Sequence, residues 1–214
     1  MKISYQILCK NEDESLTNLL TQLVDNKREV DEINVCRDTS GDNPKTKKVI
    51  RSYLGKIHHY ERKITHTIHE QKNWLATKAT GDYLFYLDAD ELLDLRLIQN
   101  LHKIIEHNPS VDIFIFPRIN TVDGLTEEYT KERSWQLNEY GWINFPDWQD
   151  RLFKNRKGIK FNEIPHGRLL MEGKNYSFLP KDDTLYAIIH HKDFNKQVTD
   201  NSWHDNKERE LGLR

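Results

Sequence analysis

Over the first half of the chain, short apolar runs alternate with amphipathic stretches, and that pattern predicts a β-α-β-α order. Ile3–Cys9 (Ile-Ser-Tyr-Gln-Ile-Leu-Cys) has the length and composition of a buried strand. Leu16, Leu19, Leu20, Leu23 and Val24 follow at helical spacing, with Asp13 or Ser15 placed to cap the start. Glu32–Arg37 predicts a second strand and Ile57–Tyr60 a third. Between them, Asp38–Pro44 is a polar loop, and Lys45-Thr46-Lys47-Lys48 reads as the solvated start of a helix. Ile68, Leu75 and Ala79 mark the apolar side of a helix over 66–79, closed by Gly81. Tyr83–Leu87 is the next strand, Leu97, Ile98, Leu101, Ile104 and Ile105 line another helix, and Val111–Phe116 is a further strand. This alternation argues for an α/β fold with a mostly parallel central sheet flanked by helices. In such sheets ligands collect beyond the carboxyl ends of the strands.

After about residue 117 the rhythm changes. Residues 118–150 are long, polar and aromatic, with Trp135, Trp142, Phe145 and Trp148. Residues 151–194 read as short strands and loops, followed by a polar C-terminal helix. No repeat or low-complexity linker divides the chain, so the expectation is one domain over 1–214 with two functional halves, 1–117 and 118–214. The final residues carry no clear stop signal, which fits a piece of a longer protein.

Charge narrows the partners. With 32 basic and 34 acidic residues among 214, the formal net charge is -2, which gives no global reason to expect nucleic acid or a membrane surface. No apolar stretch approaches the roughly 20 residues of a membrane span, and Met1–Tyr5 does not resemble a signal peptide. Cys9 and Cys36 are too few for a disulfide framework and read as buried free thiols in a reducing compartment. No Cys/His spacing matches a structural zinc site.

Three polar clusters fall at the expected carboxyl edge: Lys10-Asn11-Glu12, Asp38-Thr39-Ser40-Gly41-Asp42 and Asp88-Ala89-Asp90. The last follows the strand Tyr83–Leu87. Alternate residues of an extended chain share a face, so Asp88 and Asp90 can address one pocket. Two clustered carboxylates repel unless a cation lies between them, and a hard divalent ion with phosphate oxygens is the usual solution.

Together these clusters resemble an inverting glycosyltransferase of family 2, which implies the GT-A nucleotide-diphospho-sugar fold. Lys10-Asn11-Glu12 is similar to the family's Lys-Asn-Glu after its first strand, and Asp38-Thr39-Ser40-Gly41-Asp42 to its Asp-Gly-Ser-Thr-Asp loop after the second. Lys72-Asn73, Gly81-Asp82-Tyr83 and Leu87-Asp88-Ala89-Asp90-Glu91 resemble its Arg-Asn, Gly-Glu-Tyr and Leu-Asp-Ala-Asp-Asp segments. Pro146–Asn155 and His190-His191-Lys192 are similar to later segments of the branch acting on lipopolysaccharide. Each motif alone is weak; five in the right order are specific. A fainter likeness, carried by no motif, is to enzymes that glycosylate viral capsids.

The resemblance implies a UDP-sugar donor carrying a glucose-like or rhamnose-like sugar, a saccharide or glycoprotein acceptor, Mn²⁺ or Mg²⁺, and work in the cytoplasm (the host's, if viral). It implies that Asp38 accepts the uracil N3–H, that Ile7, Leu8, Cys9 and Lys10 flank base and ribose, and that Glu12, Lys72, Asn73, Asp88 and Ala89 help to form the donor site. Asp90 would ligate the metal, with Asp88 direct or through water and His190 as a further contact; imidazole favours manganese. The branch places its catalytic acid in a His-Glu pair, but here Phe161-Asn162-Glu163-Ile164-Pro165-His166-Gly167 has glycine at that point. Glu163, Asp147, His166 and Asp150 are the candidate bases. Trp142 and Trp148 either stack on acceptor sugars or close a core. Asp38 also suits an Asx-turn, as the lesser reading, and His58, His59, His66 and His69 read as surface. The missing His-Glu acid also leaves open a catalytically silent sugar-nucleotide or glycan-binding module. A sugar-phosphate nucleotidyltransferase fits poorly, because Cys9-Lys10-Asn11-Glu12 has no glycine for a phosphate loop.

Overall fold

The computed structural model describes residues 1–40, 43–65, 67–156, 158–162 and 168–210, apart from the side chains at 204, 207, 208 and 210. The strands are β1 (Ile3–Cys9), β2 (Glu32–Asp38), β3 (His58–Arg62), β4 (Tyr83–Asp88), β5 (Glu91–Leu93), β6 (Ile113–Asp123), β7 (Asp147–Lys154), β8 (Tyr176–Phe178) and β9 (Ile188–Asp193). The helices are α1 (Glu14–Asn26), α2 (Pro44–Ser52), α3 (Ile68–Ala76), α4 (Leu95–His107), α5 (Glu127–Glu132) and α6 (Phe194–Glu210). The strands form one sheet in the order β3-β2-β1-β4-β7-β6-β9-β5, with β8 beside β6. Its first four strands are parallel; β7 then runs against both β4 and β6.

β1 and β4 are apolar because helices or loops cover both of their faces, whereas the edge strand β3 is polar and partly exposed. Period-two alternation in β4 shows how they divide the core. Tyr83, Phe85 and Leu87 pack with Ile3, Tyr5, Ile7 and the leucines of α1 and α4. Leu84 and Tyr86 point the other way, into a second cluster with Ile113, Ile115, Phe153, Phe161 and Leu169. In α1, Leu16, Leu19, Leu20 and Leu23 form the buried stripe that their spacing predicts. Side-chain caps start α2 and α3, where Asn43 accepts from the backbone of Lys45 and Thr46 and Thr67 accepts from Glu70 N–H, whereas Asp13 makes no such bond at α1.

Three local expectations change. The helix expected over 66–79 is shorter; Ile68 lies exposed, and its buried face is His69, Gln71, Lys72 and Leu75. His69 is therefore not a surface residue, and His66 lies outside the described residues. Gly81 does not close that helix. It lies against β1, where a Cβ would stand 2.5 Å from Ser4 Oγ and 2.8 Å from Ser4 N. Finally, β6 runs on to Asp123 through sequence expected as loop, because Arg118 and Asn120 on one strand face find polar partners across the sheet.

Cys9 and Cys36 are buried free thiols, and burial pushes the Cys36 thiol up to about 11. No helix among the described residues is long and apolar enough to cross a membrane.

Candidate active site

At the carboxyl edge of β1, β2 and β4 a cleft of about 1360 Å³ is lined by Leu8, Cys9, Lys10, Glu12, Asp38, Lys72, Asp88, Ala89, Asp90 and His190. Parallel register makes this meeting possible, since it sets Leu8 level with Asp88 and Cys9 level with Arg37 next to Asp38. A smaller hollow of about 400 Å³ beside α5, near Val122 and Leu137, holds none of these residues.

Asp38 makes the Asx-turn and also faces the cleft. Its Oδ1 accepts Ser40 N–H at 2.9 Å and Ile64 N–H at 3.1 Å, and Oδ2 accepts the Ser40 hydroxyl at 2.6 Å. Lys10 Nζ is 3.5 Å away. Burial pushes the carboxyl up, but these bonds and Lys10 outweigh it and hold Asp38 below the ordinary carboxylate range. Glu12 folds back onto the backbone N–H groups of Lys10 and Asn11, shaping the turn after β1.

Asp88 and Asp90 have different surroundings. Asp88 bonds Arg151 at 2.7 Å and lies 3.8 Å from Lys72 Nζ. Arg151 also bonds Glu91 at 2.6 Å, and the other Glu91 oxygen accepts Asp88 N–H at 2.9 Å. Burial opposes ionisation of Asp88, but the cations prevail and keep its carboxyl well below the ordinary range. Asp90 faces α6 and β9: Lys196 Nζ is 2.8 Å, Lys192 Nζ 3.7 Å and His190 Nε2 3.6 Å from its oxygens. Burial again pushes up, and the His190 contact and the two lysines hold the group far down.

The remaining predicted residues lie behind or beside the cleft. Ile7 is wholly buried. Asn73 spans to Phe161, donating to its carbonyl and accepting its N–H, both at 2.9 Å. Asp147 accepts from Arg118, Asn120 and Gln149. Asp150 is buried, accepting from the Arg168 guanidinium and Leu169 N–H. Trp142 packs between Tyr140 and Phe145, with ring centres 5.0 and 4.9 Å away, and Trp148 against Phe178 at 4.8 Å. Glu163 and His166 lie outside the described residues, as do Gly41 and Asp42.

Sequence reasoning missed Arg118, Arg151, Asn120, Lys192, Lys196 and Trp203. All except Arg151 and Asn120 line the cleft. Arg151 lies inside the Pro146–Asn155 segment that resembles the family, and that likeness was the available signal. Trp203, on α6, is 59% exposed.

A metal can be tested against this donor set. No cluster of three or more His, Cys, Asp or Glu side chains suited to an ion occurs among the described residues. Asp90 and His190 converge, and carboxylate and imidazole are donors that a divalent ion accepts, while Lys192 and Lys196 occupy the other Asp90 oxygen.

The model of glycosyl transferase family 2 matches residues 4–176, and the chain therefore belongs to that family of glycosyltransferases. Its architecture is the GT-A fold. Solved structures with the same fold include S. aureus TarS, at 15% identity and a TM-score of 0.63 over 89% of this chain and 37% of that one. TarS 1–349 in complex with UDP matches at 15% identity and 0.55, over 84% of this chain and 61% of that one. The complex of TarS 1–349 with UDP-GlcNAc gives 14%, 0.55, 86% and 60%. The chain thus spans between about a third and three fifths of those chains. Among curated proteins none matches significantly.

Proposed function

We propose that this chain moves a hexose or deoxyhexose, glucose-like or rhamnose-like, from a UDP-sugar to a glycan or glycoprotein acceptor with inversion at the anomeric carbon. One observation carries the reading: in a family 2 chain, Asp38 and the Asp88–Asp90 pair meet in one large cleft at the carboxyl edge of adjacent parallel strands. Residues 1–117 form the nucleotide-sugar-binding half and 118–214 the acceptor and catalytic half, from which His190, Lys192 and Lys196 reach the donor's diphosphate, and the free thiols fit a reducing compartment such as the cytoplasm. The TarS complexes with UDP and UDP-GlcNAc support the choice of nucleotide on the same fold.

Asp38, held ionised, accepts the uracil N3–H, while Lys10 neutralises its second oxygen. Asp90 and His190 would hold Mn²⁺, or less readily Mg²⁺, which when bound supplies Lewis-acid stabilisation of departing UDP. Lys72, Lys192 and Lys196 add fixed positive charge around the diphosphate. A base takes the acceptor hydroxyl proton. Asp147 and Asp150 are committed to arginines, which favours Glu163 or His166 for that step.

Calorimetric titration with UDP, GDP and dTDP, with and without Mn²⁺, tests the donor. Selective UDP binding, tightened by Mn²⁺, is expected; binding of none of the three would overturn the reading. In Asp38→Ala, UDP should bind about 10–100-fold more weakly with or without metal, matching the roughly 1.5–3 kcal/mol of a hydrogen bond to a charged group. Glu163→Gln and His166→Ala should divide: one retains UDP affinity and loses about 10²–10⁴-fold in turnover. UDP binding with no transfer to any acceptor would favour the silent binding module.

A further inference from the structure

The Asp147 carboxylate lies on β7, two strands away from His190 on β9, with β6 between them. Register across β6 joins the two: Arg118 pairs with Asp147, Asn120 pairs with His190, and residues 118 and 120 share a strand face. Arg118 donates to Asp147 Oδ2 through two nitrogens at 2.8 and 2.6 Å. Asn120 Nδ2 donates to the same oxygen at 2.9 Å, and Asn120 Oδ1 lies 2.8 Å from His190 Nδ1. The other ring nitrogen, Nε2, faces Asp90 Oδ1 at 3.6 Å.

Donor and acceptor rules then fix a proton. Burial pushes the Asp147 carboxyl up, but Arg118, Asn120 and Gln149 outweigh it and keep the group ionised, so it can only accept. Asn120 must therefore turn its NH₂ toward Asp147 and its carbonyl oxygen toward His190. A carbonyl only accepts, so His190 Nδ1 must carry hydrogen. In the neutral ring the lone pair is left on Nε2, on the side of Asp90, and two acceptors 3.6 Å apart need a proton or a metal cation between them. The opposite neutral tautomer would set two acceptors against each other at 2.8 Å.

We propose that Asn120, locked by Asp147 and Arg118, is a positioning residue that holds His190 in the Nδ1–H tautomer and so presents Nε2 beside Asp90 as a cation ligand. Asp147 thereby acts through a chain of two side chains, and it is not the base. The cation-ligand role rests on the glycosyltransferase reading above; the tautomer does not. An orienting acceptor on the far nitrogen of a ligating histidine typically changes metal affinity or activity about 10–100-fold when removed.

Ring ¹⁵N NMR of the full chain, at a pH where the imidazole is neutral and with His190 assigned by difference against His190→Gln, reads the tautomer without any ligand. Protonated Nδ1 is expected in the wild type; protonated Nε2 there would overturn the proposal before any variant is made. In Asn120→Ala the ring should shift toward the Nε2–H form. Mn²⁺ affinity in the presence of UDP, followed by titration calorimetry and by the loss of free-Mn²⁺ paramagnetic signal, should fall about 10–100-fold, with metal-free UDP affinity unchanged. Asp147→Asn should move the tautomer and the Mn²⁺ affinity in the same direction. If it instead leaves both intact while turnover collapses, Asp147 is the base and the proposal fails. Failure of the wild type to bind UDP would count against the donor assignment alone, since the ring shifts still report the orientation of His190.

Discussion

Replacing Arg151 with alanine should cost the fold about 3–5 kcal/mol, the range for stranding one partner of a buried ion pair. Glu91 has no exposed surface and the Arg151 side chain only 5%; the guanidinium bonds both Glu91 and Asp88. Arg118 would remain on Glu91 at 2.9 Å, which keeps the loss from going higher. Urea unfolding at neutral pH measures it. The pH dependence has a definite sign. Asp88 has a folded pKa below its unfolded value, so its contribution is complete above the ordinary carboxylate range, near 4, and fades as pH falls toward the lowered value. The gap between wild type and Arg151→Ala should therefore be widest near neutrality and narrow below pH of about 4. A variant as stable as wild type at pH 7 would mean that the network is solvated and carries no structural load.

Much of this fold could be read from the chain because helix and strand periods are local properties. The leucine stripe of α1 and the apolar run of β4 announce their elements in a few residues each. The three polar clusters could be placed at one edge because parallel strands joined by helices put every strand end on the same side. What spacing cannot give is long-range pairing. His190 meets Asn120 across 70 residues and Glu91 across the β5–β9 ladder, so the contacts around Asp90 depend on where β9 inserts. Arg118 and Arg151 carry no local signal of burial; the sheet covers Arg151 and half-covers Arg118. Lys196 sits on a helix with no apolar stripe, and nothing in its sequence neighbourhood says that it reaches Asp90. The aromatic segment was ambiguous for the same reason: whether Trp148 meets sugar or Phe178 is decided by β8, a three-residue strand with little periodicity of its own.

Asp90→Ala should separate two functions of one carboxylate. The group accepts a hydrogen bond from Lys196 at 2.8 Å and lies within 4 Å of Lys192 and His190. It therefore neutralises positive charge in the cleft, and it is also the metal ligand of the proposed mechanism. Deleting it leaves Lys192 paired with Asp200 at 2.7 Å but frees Lys196 toward the space where a diphosphate would lie. Metal-free UDP binding should accordingly stay equal or become tighter, because an anion meets one more uncompensated cation. The Mn²⁺-dependent gain in UDP affinity should vanish. Turnover should fall about 10²–10⁴-fold, the equivalent of losing several kcal/mol of Lewis-acid stabilisation at about 1.4 kcal/mol per tenfold. Titrations with UDP alone, Mn²⁺ alone and both together distinguish the outcomes. A persisting Mn²⁺ gain would remove Asp90 from the metal site. Loss of metal-free UDP binding would instead make Asp90 a structural anchor for α6, since a variant that merely lost its ligand has no reason to repel the nucleotide.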